Sequence, residues 1–449
     1  MDPLTALATS LDGELLTPGT PGYDTARRPA NPAFRDAHPR AVVRCRSVRD
    51  VARAVSFAAA TGERIAPRGG GHCFAGRSST EGLVLDLSAL DDVRVDAGGL
   101  ATIGAGARLG PVYAALHTHG RTLPAGCGPT VGIAGLTLGG GIGLLGRAHG
   151  LTCDNLVGAQ AVLPDGAVVE CDDARHPDLF WALRGAGGGQ FAVVTSLRFR
   201  TVPEPITVRI QARWTAGSLA SLVRAWQAWA PDAPDGITVN LTLDAAAGEP
   251  VAATLFGAST YDERRTRELL SELTHLAGAT PTIDLRDGLP FHRLKTTFTD
   301  LDARETPERP VRIRSELFSR PMSEPTVGTL LDLLDRPGGE HPRHLAFTAM
   351  GGAYARVAED GTAFAHRDSR FLLEHVGDPG DAWTDDSWRV AHAEGSGRVY
   401  PNFPDPALAE PLAAYHGGNL PRLTAVKATY DARRVFDFPQ AVPPGPPAP

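Results

Sequence analysis

Residues 68–76 read Arg68-Gly69-Gly70-Gly71-His72-Cys73-Phe74-Ala75-Gly76, three residues without side chains followed at once by a histidine. Such a run lets the main chain lie against a bulky ligand and offers several N–H groups to an anion, most naturally a pair of phosphates. It also brings the histidine to the ligand at close range. A second glycine-rich run, residues 125–143, contains Cys127, Val131, Gly132, Gly135, Leu138, Gly139, Gly140 and Gly143. Two such loops, one carrying a histidine and the other a cysteine, point to a large phosphate-bearing cofactor.

Composition narrows the partners. A chain of 449 residues with net charge −7 and pI near 6.1 has no basic footprint for nucleic acid or an anionic membrane, so small-molecule chemistry is expected. Residues 122–146 carry no charge, but eight of the nineteen positions from Gly128 to Gly146 are glycine, which suits a loop and not a membrane helix. The N-terminal residues lack a basic start followed by an apolar core, and five cysteines with no CxxC argue against a disulfide framework. A cytoplasmic enzyme is the expectation, with Cys45, Cys153 and Cys171 as small apolar fillers.

Periodicity predicts a helix from Ser47, with Val48, Val51, Val55 and Ala58 inward and Gly62 closing it, then a strand at 83–87. A second helix at 109–119 stops at Gly120. Residues 156–163 and 167–171 flank Pro164-Asp165-Gly166, a hairpin signal, and the strand Val193, Thr195, Leu197, Phe199 ends at Pro203 and Pro205. A domain boundary is placed there, after residue 205. Within 206–214, Ile206, Val208, Ile210, Ala212 and Trp214 alternate with Thr207, Arg209, Gln211 and Arg213, as in a half-solvated antiparallel strand. A strand at 237–243 and helices near 218–229, 262–276 and 324–335 complete an α+β domain with a broad antiparallel sheet. Residues 440–449, half of them proline, are expected to be disordered.

Two rival motifs fail on context. Gly141-Ile142-Gly143-Leu144-Leu145-Gly146 satisfies GxGxxG, but no buried strand stands before it, as a nicotinamide site requires. His117 and His119, two apart on a helix, diverge by about 200° and cannot share a metal as i, i+4 ligands do. No metal site is expected.

The two glycine runs, Gly150-Leu151-Thr152-Cys153-Asp154-Asn155, residues 181–195, Val399-Tyr400-Pro401-Asn402-Phe403-Pro404-Asp405 and residues 422–438 together resemble the berberine bridge enzyme-like FAD-linked oxidases, with a vanillyl-alcohol-oxidase (PCMH-type) FAD-binding domain. The resemblance spans nearly the whole chain. It implies FAD held in two α+β subdomains within residues 1–205 (core about 38–203), a substrate domain at 206–400 packed over the ring, a segment at 401–439 returning to the first domain, and the loop at Arg68, Gly69, Gly70, Gly71, His72 and Gly76 around the pyrophosphate. It also implies a covalent bond from His72 to the flavin 8α carbon, with Val194 and Asn402 lining the cofactor. Many relatives add a cysteine bond to C6 from three residues before the valine of the Val-Gly pair. Gly128 stands there and Cys127 is one residue further away, so a single bond is expected.

By the same resemblance, Tyr400 is the expected base beside the flavin, its phenolate needing stabilisation because the ordinary phenol pKa is near 10. Glu374, on a strand with Arg370 and Leu372 opposite Phe371, Leu373 and His375, is the second candidate, and His375 replaces it if the register slips by one. The implied function is hydride removal from an alcohol or amine carbon of a small molecule to FAD, then to O₂ giving peroxide. The alternatives are a flavin dehydrogenase with poor O₂ reactivity and a flavin-retaining binding protein.

Overall fold

The computed structural model describes residues 3–214, 219–246, 248–298, 309–336 and 342–445. Its first sheet orders the strands Glu14–Leu16, Ala41–Arg44, Leu83–Asp86 and Ile65–Arg68, the last three parallel. The crossover helix Val48–Thr61 starts at Ser47 in a capping box with Asp50 and stops at Gly62, whose φ of 73° suits glycine. Val51, Ala54, Val55 and Ala58 are buried beneath it, as the period requires. Parallel pairing carries Ile65–Arg68 outward to its C-terminal end, where the chain enters the first glycine run.

The second sheet is antiparallel, with Val193–Arg200 at its centre between Leu100–Gly104 and Leu156–Val162. The hairpin from Leu156–Val162 to Val168–Cys171 turns at Gly166 (φ 85°). The two sheets and their helices share one core, which includes Leu85, Ile103, Phe180 and Phe199. Cys45, Cys153 and Cys171 are buried, and burial pushes their thiols up, Cys171 to about 12.

The third sheet has seven antiparallel strands, in the order Thr282–Pro290, Ile206–Trp214, Ala252–Ser259, Ile237–Ala245, Arg343–Ala349, Phe371–Gly377 and Arg312–Phe318. Side chains alternate across it. One face buries Leu241, Phe347, Phe371 and Leu373 in a separate core with Trp226 from the helix Leu219–Trp229, and the Phe318 and Phe371 rings stack at 4.8 Å. The helices Glu263–Ala277, Glu324–Leu334 and Trp383–His392 contribute to the same core. The other face turns Asn240, Thr242, His344, Thr348 and Glu374 toward the glycine loops.

This second covered face corrects the half-solvated reading of 206–214. Ile206 is exposed, while Thr207 and Arg209 are buried, Arg209 pairing with Asp284 at 2.9 Å and lying against the Phe298 ring. The tail is also corrected. Ala441 is buried, Val442 is buried in the first core, and the Val442 amide donates to Gln190 Oε1 at 3.0 Å, so residues 440–445 dock; residues 446–449 lie outside the described residues. Two apolar side chains between prolines fill a gap that polarity-based reading overlooks. The helix Leu420–Tyr430 is anchored by the buried Lys427, whose Nζ reaches Asp431 at 2.7 Å and the Phe436 carbonyl at 2.7 Å.

A buried cation joins the seven-stranded sheet to the segment after the second glycine run. The Arg147 guanidinium donates to the carbonyls of Pro231 (2.6 Å) and Ile237 (3.2 Å) and also to those of Ala233 and Met350. Among the described residues no helix is long and apolar enough to cross a membrane.

Candidate functional site

A cavity of about 840 Å³ opens between the two glycine loops and the polar face of the seven-stranded sheet. The loops touch each other. A Cβ on Gly70 would stand 2.3 Å from the Gly132 nitrogen, and one on Gly132 would stand 2.4 Å from the Gly70 nitrogen. Only backbone fits at that crossing, and Gly71 continues it with φ 73°. A cavity of this size walled by side-chain-free backbone fits a dinucleotide cofactor laid along the loops.

Most of the expected cofactor residues line this space. Gly69, Gly70, Gly71 and His72 come from the first loop, and Cys127, Val131, Gly132, Gly135, Leu138 and Gly143 from the second. Val194, Tyr400 and Asn402 complete the wall. Four expected residues do not line it. Arg68 turns away and donates to the carbonyls of Ala26 and Arg27, which secures the base of the loop. Gly76 (φ 70°) makes room for the Phe34 ring. Gly139 leaves space for Asn402, since a Cβ there would lie 2.2 Å from Oδ1, and Gly140 (φ 116°) does the same for Phe364.

The Tyr400 hydroxyl oxygen lies in reach of three N–H donors: the Gly141 amide at 3.0 Å, the Ile142 amide at 3.2 Å and Asn402 Nδ2 at 2.9 Å. Asn402 is itself oriented by the Leu136 carbonyl at 2.9 Å. A neutral phenol oxygen accepts two hydrogen bonds readily, whereas three donors suit a phenolate. Burial acts the other way and pushes Tyr400 up to about 12, with Asn402, Ile142 and Gly141 pulling it down. The glycine loop bearing those amides is held from behind. Thr152 and Cys153 donate their amides to the Gly141 and Gly140 carbonyls, and Asp154 pairs with the buried Arg367 at 2.7 Å.

His72 Nε2 lies 3.1 Å from the Thr130 hydroxyl, so the second loop orients the histidine of the first. Cys127, not Gly128, reaches the cavity, and Gly128 is absorbed in a turn closed by the Val131 amide on its carbonyl. Cys127 Sγ lies 3.4 Å from Lys295 Nζ, which also donates to the Gly126 carbonyl at 2.6 Å. Glu374 faces the cavity between Leu372 and Val376. His375 points into the opposite core, where its Nδ1 meets Ser387 Oγ at 2.8 Å and burial lowers its pKa to about 3. The register on this strand is therefore the expected one, and His375 drops out as a base.

Sequence reasoning missed Thr130 and Lys295, and it missed Asn240, Thr242, His344 and Asp378 on the sheet side of the cavity. For the sheet-side residues the signal is a polar residue at every second place on separate strands. That pattern cannot be told from a solvated face until the strands are assembled.

Two family models match, an FAD binding domain at residues 39–172 and a berberine and berberine-like segment at residues 399–443. The uncharacterized FAD-linked oxidoreductase YgaK of Bacillus subtilis (strain 168) is 34% identical over 97% of this chain and 98% of its own length. The solved structure of Physcomitrella patens BBE-like 1 superposes with a TM-score of 0.88 at 27% identity, over 99% of this chain and 100% of the other. A glucooligosaccharide oxidase from Acremonium strictum, a protein with a 6-S-cysteinyl, 8α-N1-histidyl FAD, superposes with a TM-score of 0.86 at 28% identity, over 99% of this chain and 100% of the other. With matching glycine loops, closing segment and overall fold, the chain belongs to the berberine bridge enzyme-like family of FAD-linked oxidoreductases.

Proposed function

We propose that this enzyme is an oxidase that takes a hydride from a hydroxyl-bearing carbon of a polar small molecule, with Tyr400 accepting the hydroxyl proton and O₂ as the final acceptor. The observation that carries the reading is the Tyr400 oxygen at the cavity wall with three N–H donors converging on it. Proton removal leaves a carbonyl when the hydride departs, and the converging donors stabilise the anion that performs it. Bound FAD supplies the two-electron acceptor for the hydride.

Asn240, Thr242 and Thr348 offer hydrogen-bonding groups across the cavity, which suits a substrate rich in hydroxyls. Glu374 and Asp378 on the same wall favour a second reading, an amine whose cation they seat. Val131 lines the cavity with a short side chain, which supports access for O₂. Peroxide release with a panel of sugars, alcohols and amines tests the function. Turnover with an artificial electron acceptor but no peroxide would establish a dehydrogenase, and turnover with neither would leave a binding protein.

The same reading assigns His72 as the covalent anchor. The yellow colour of wild-type protein should survive acid precipitation and washing, while that of His72→Ala should wash out. Colour released from wild type sinks the assignment. Peptide mass analysis should find flavin on the His72 peptide alone; a cross-linked peptide that also contains Cys127 would show that the turn at Gly128 absorbs the one-residue offset.

A further inference from the structure

The sequence separates His117, Glu204 and His292 widely, but the fold gathers them. His117 is the last residue of the helix Leu109–His117, Glu204 follows Val202–Pro203 as the chain passes toward the seven-stranded sheet, and His292 lies in the helix Phe291–Lys295. His117 Nδ1 lies 2.6 Å from Glu204 Oε2, and His292 Nδ1 lies 3.0 Å from Glu204 Oε1. The imidazoles stack at 3.6 Å, and the three ligand atoms lie within 4.8 Å of one another. The carboxylate is only 6% exposed and is placed by two backbone bonds. Its Oε1 accepts the His292 amide at 2.8 Å, and the Glu204 amide donates to the Gly120 carbonyl at 2.9 Å.

We propose that His117, Glu204 and His292 bind one divalent transition-metal ion, such as Zn²⁺, at the junction between the cofactor-binding sheets and the substrate-facing sheet. Two imidazole nitrogens and one carboxylate oxygen select a borderline ion of the zinc, nickel or copper kind over magnesium or calcium, which prefer all-oxygen sites. Donor atoms of a tetrahedral zinc site are about 3.3 Å apart, so a small opening of the present contacts and a tilt of the stacked rings admit the ion. The ion takes the place of the hydrogens between each Nδ1 and the carboxylate, and each neutral imidazole then carries its hydrogen on Nε2. His117 is 43% exposed on its side chain, which leaves an entry path and a fourth position for water.

The site is structural in its placement. The helix that presents His292 carries Lys295 one turn on, and Lys295 holds the Ala125 and Gly126 carbonyls beside Cys127. An ion on His292 therefore braces the helix that supports the second glycine loop, without touching the cavity.

Untagged holoenzyme, stripped with chelator, should be incubated with ZnCl₂, passed through gel filtration and assayed for metal by mass spectrometry. The expected result is one zinc per chain, with a rise in melting temperature of a few degrees that chelator reverses. His117→Ala and His292→Gln should each retain flavin and lose at least about nine-tenths of the zinc, since either leaves only two ligands. Wild type that emerges without zinc overturns the proposal. So do variants that carry the wild-type complement, which would place the ion elsewhere. The exposed His119→Ala, beyond the helix end, should bind zinc as wild type does.

Discussion

Tyr400→Phe is expected to slow anaerobic flavin reduction by about 10² to 10⁴, the usual cost of removing a general base, while flavin attachment is retained. The ring stays and only the hydroxyl goes, so packing against Phe364 and Phe403 survives. The wild-type pH profile carries the sign. With the phenol pushed up to about 12, the active phenolate is the minor form at neutral pH, so the reduction rate should climb as pH rises, by up to about tenfold per unit, and level off near the pKa. Tyr400→Phe should flatten that climb. A wild-type rate for Tyr400→Phe, with Glu374→Gln abolishing reduction, would transfer the base role to Glu374. Asn402→Ala, which removes one of the three donors, should shift the climb to higher pH.

The second large effect is expected at Gly70. An added methyl would stand 2.3 Å from the Gly132 nitrogen and 2.9 Å from its Cα, and no rotamer change relieves a clash between two backbones. The loops must separate, at a cost of about 1–3 kcal/mol. Charged to cofactor binding, this weakens initial FAD capture by about 5- to 150-fold. Gly70→Ala protein should therefore purify with markedly less flavin while keeping its circular dichroism spectrum. Gly328→Ala is the control, because its methyl meets nothing within 4 Å and it lies inside the helix Glu324–Leu334. That change should leave flavin content intact and raise stability by up to about 1 kcal/mol. Full flavin occupancy in Gly70→Ala would mean that the loop crossing is not the cradle.

Local rules were sufficient wherever one segment carries its own instruction. Ser47 and Gly62 bound a helix because their capping geometry depends only on neighbouring residues, and Gly166 turns a hairpin for the same reason. The alternation around Glu374 set its face correctly, since a strand's period is two whatever it packs against. The glycine runs announced a cofactor before any fold was known, because absent side chains constrain backbone approach by themselves.

Residues whose role depends on a partner far along the chain were not legible. Gly139 and Gly76 share a motif with cofactor-lining glycines but yield their space to Asn402 and Phe34. Thr207 and Arg209 alternate as a solvated face would, yet they are buried. Val442 looked like part of a loose proline tail until the pocket beside Gln190 existed to receive it. The amino-acid sequence alone determined the local elements and the glycine loops of a phosphate-bearing cofactor, through backbone sterics and side-chain period, while FAD and the expectation for Tyr400 came from the resemblance of its motifs to the family. Tertiary structure decided the three donors on Tyr400, the Lys295 contact with Cys127 and the meeting of His117, Glu204 and His292, because each requires groups from distant segments to be desolvated and held within hydrogen-bonding distance at once.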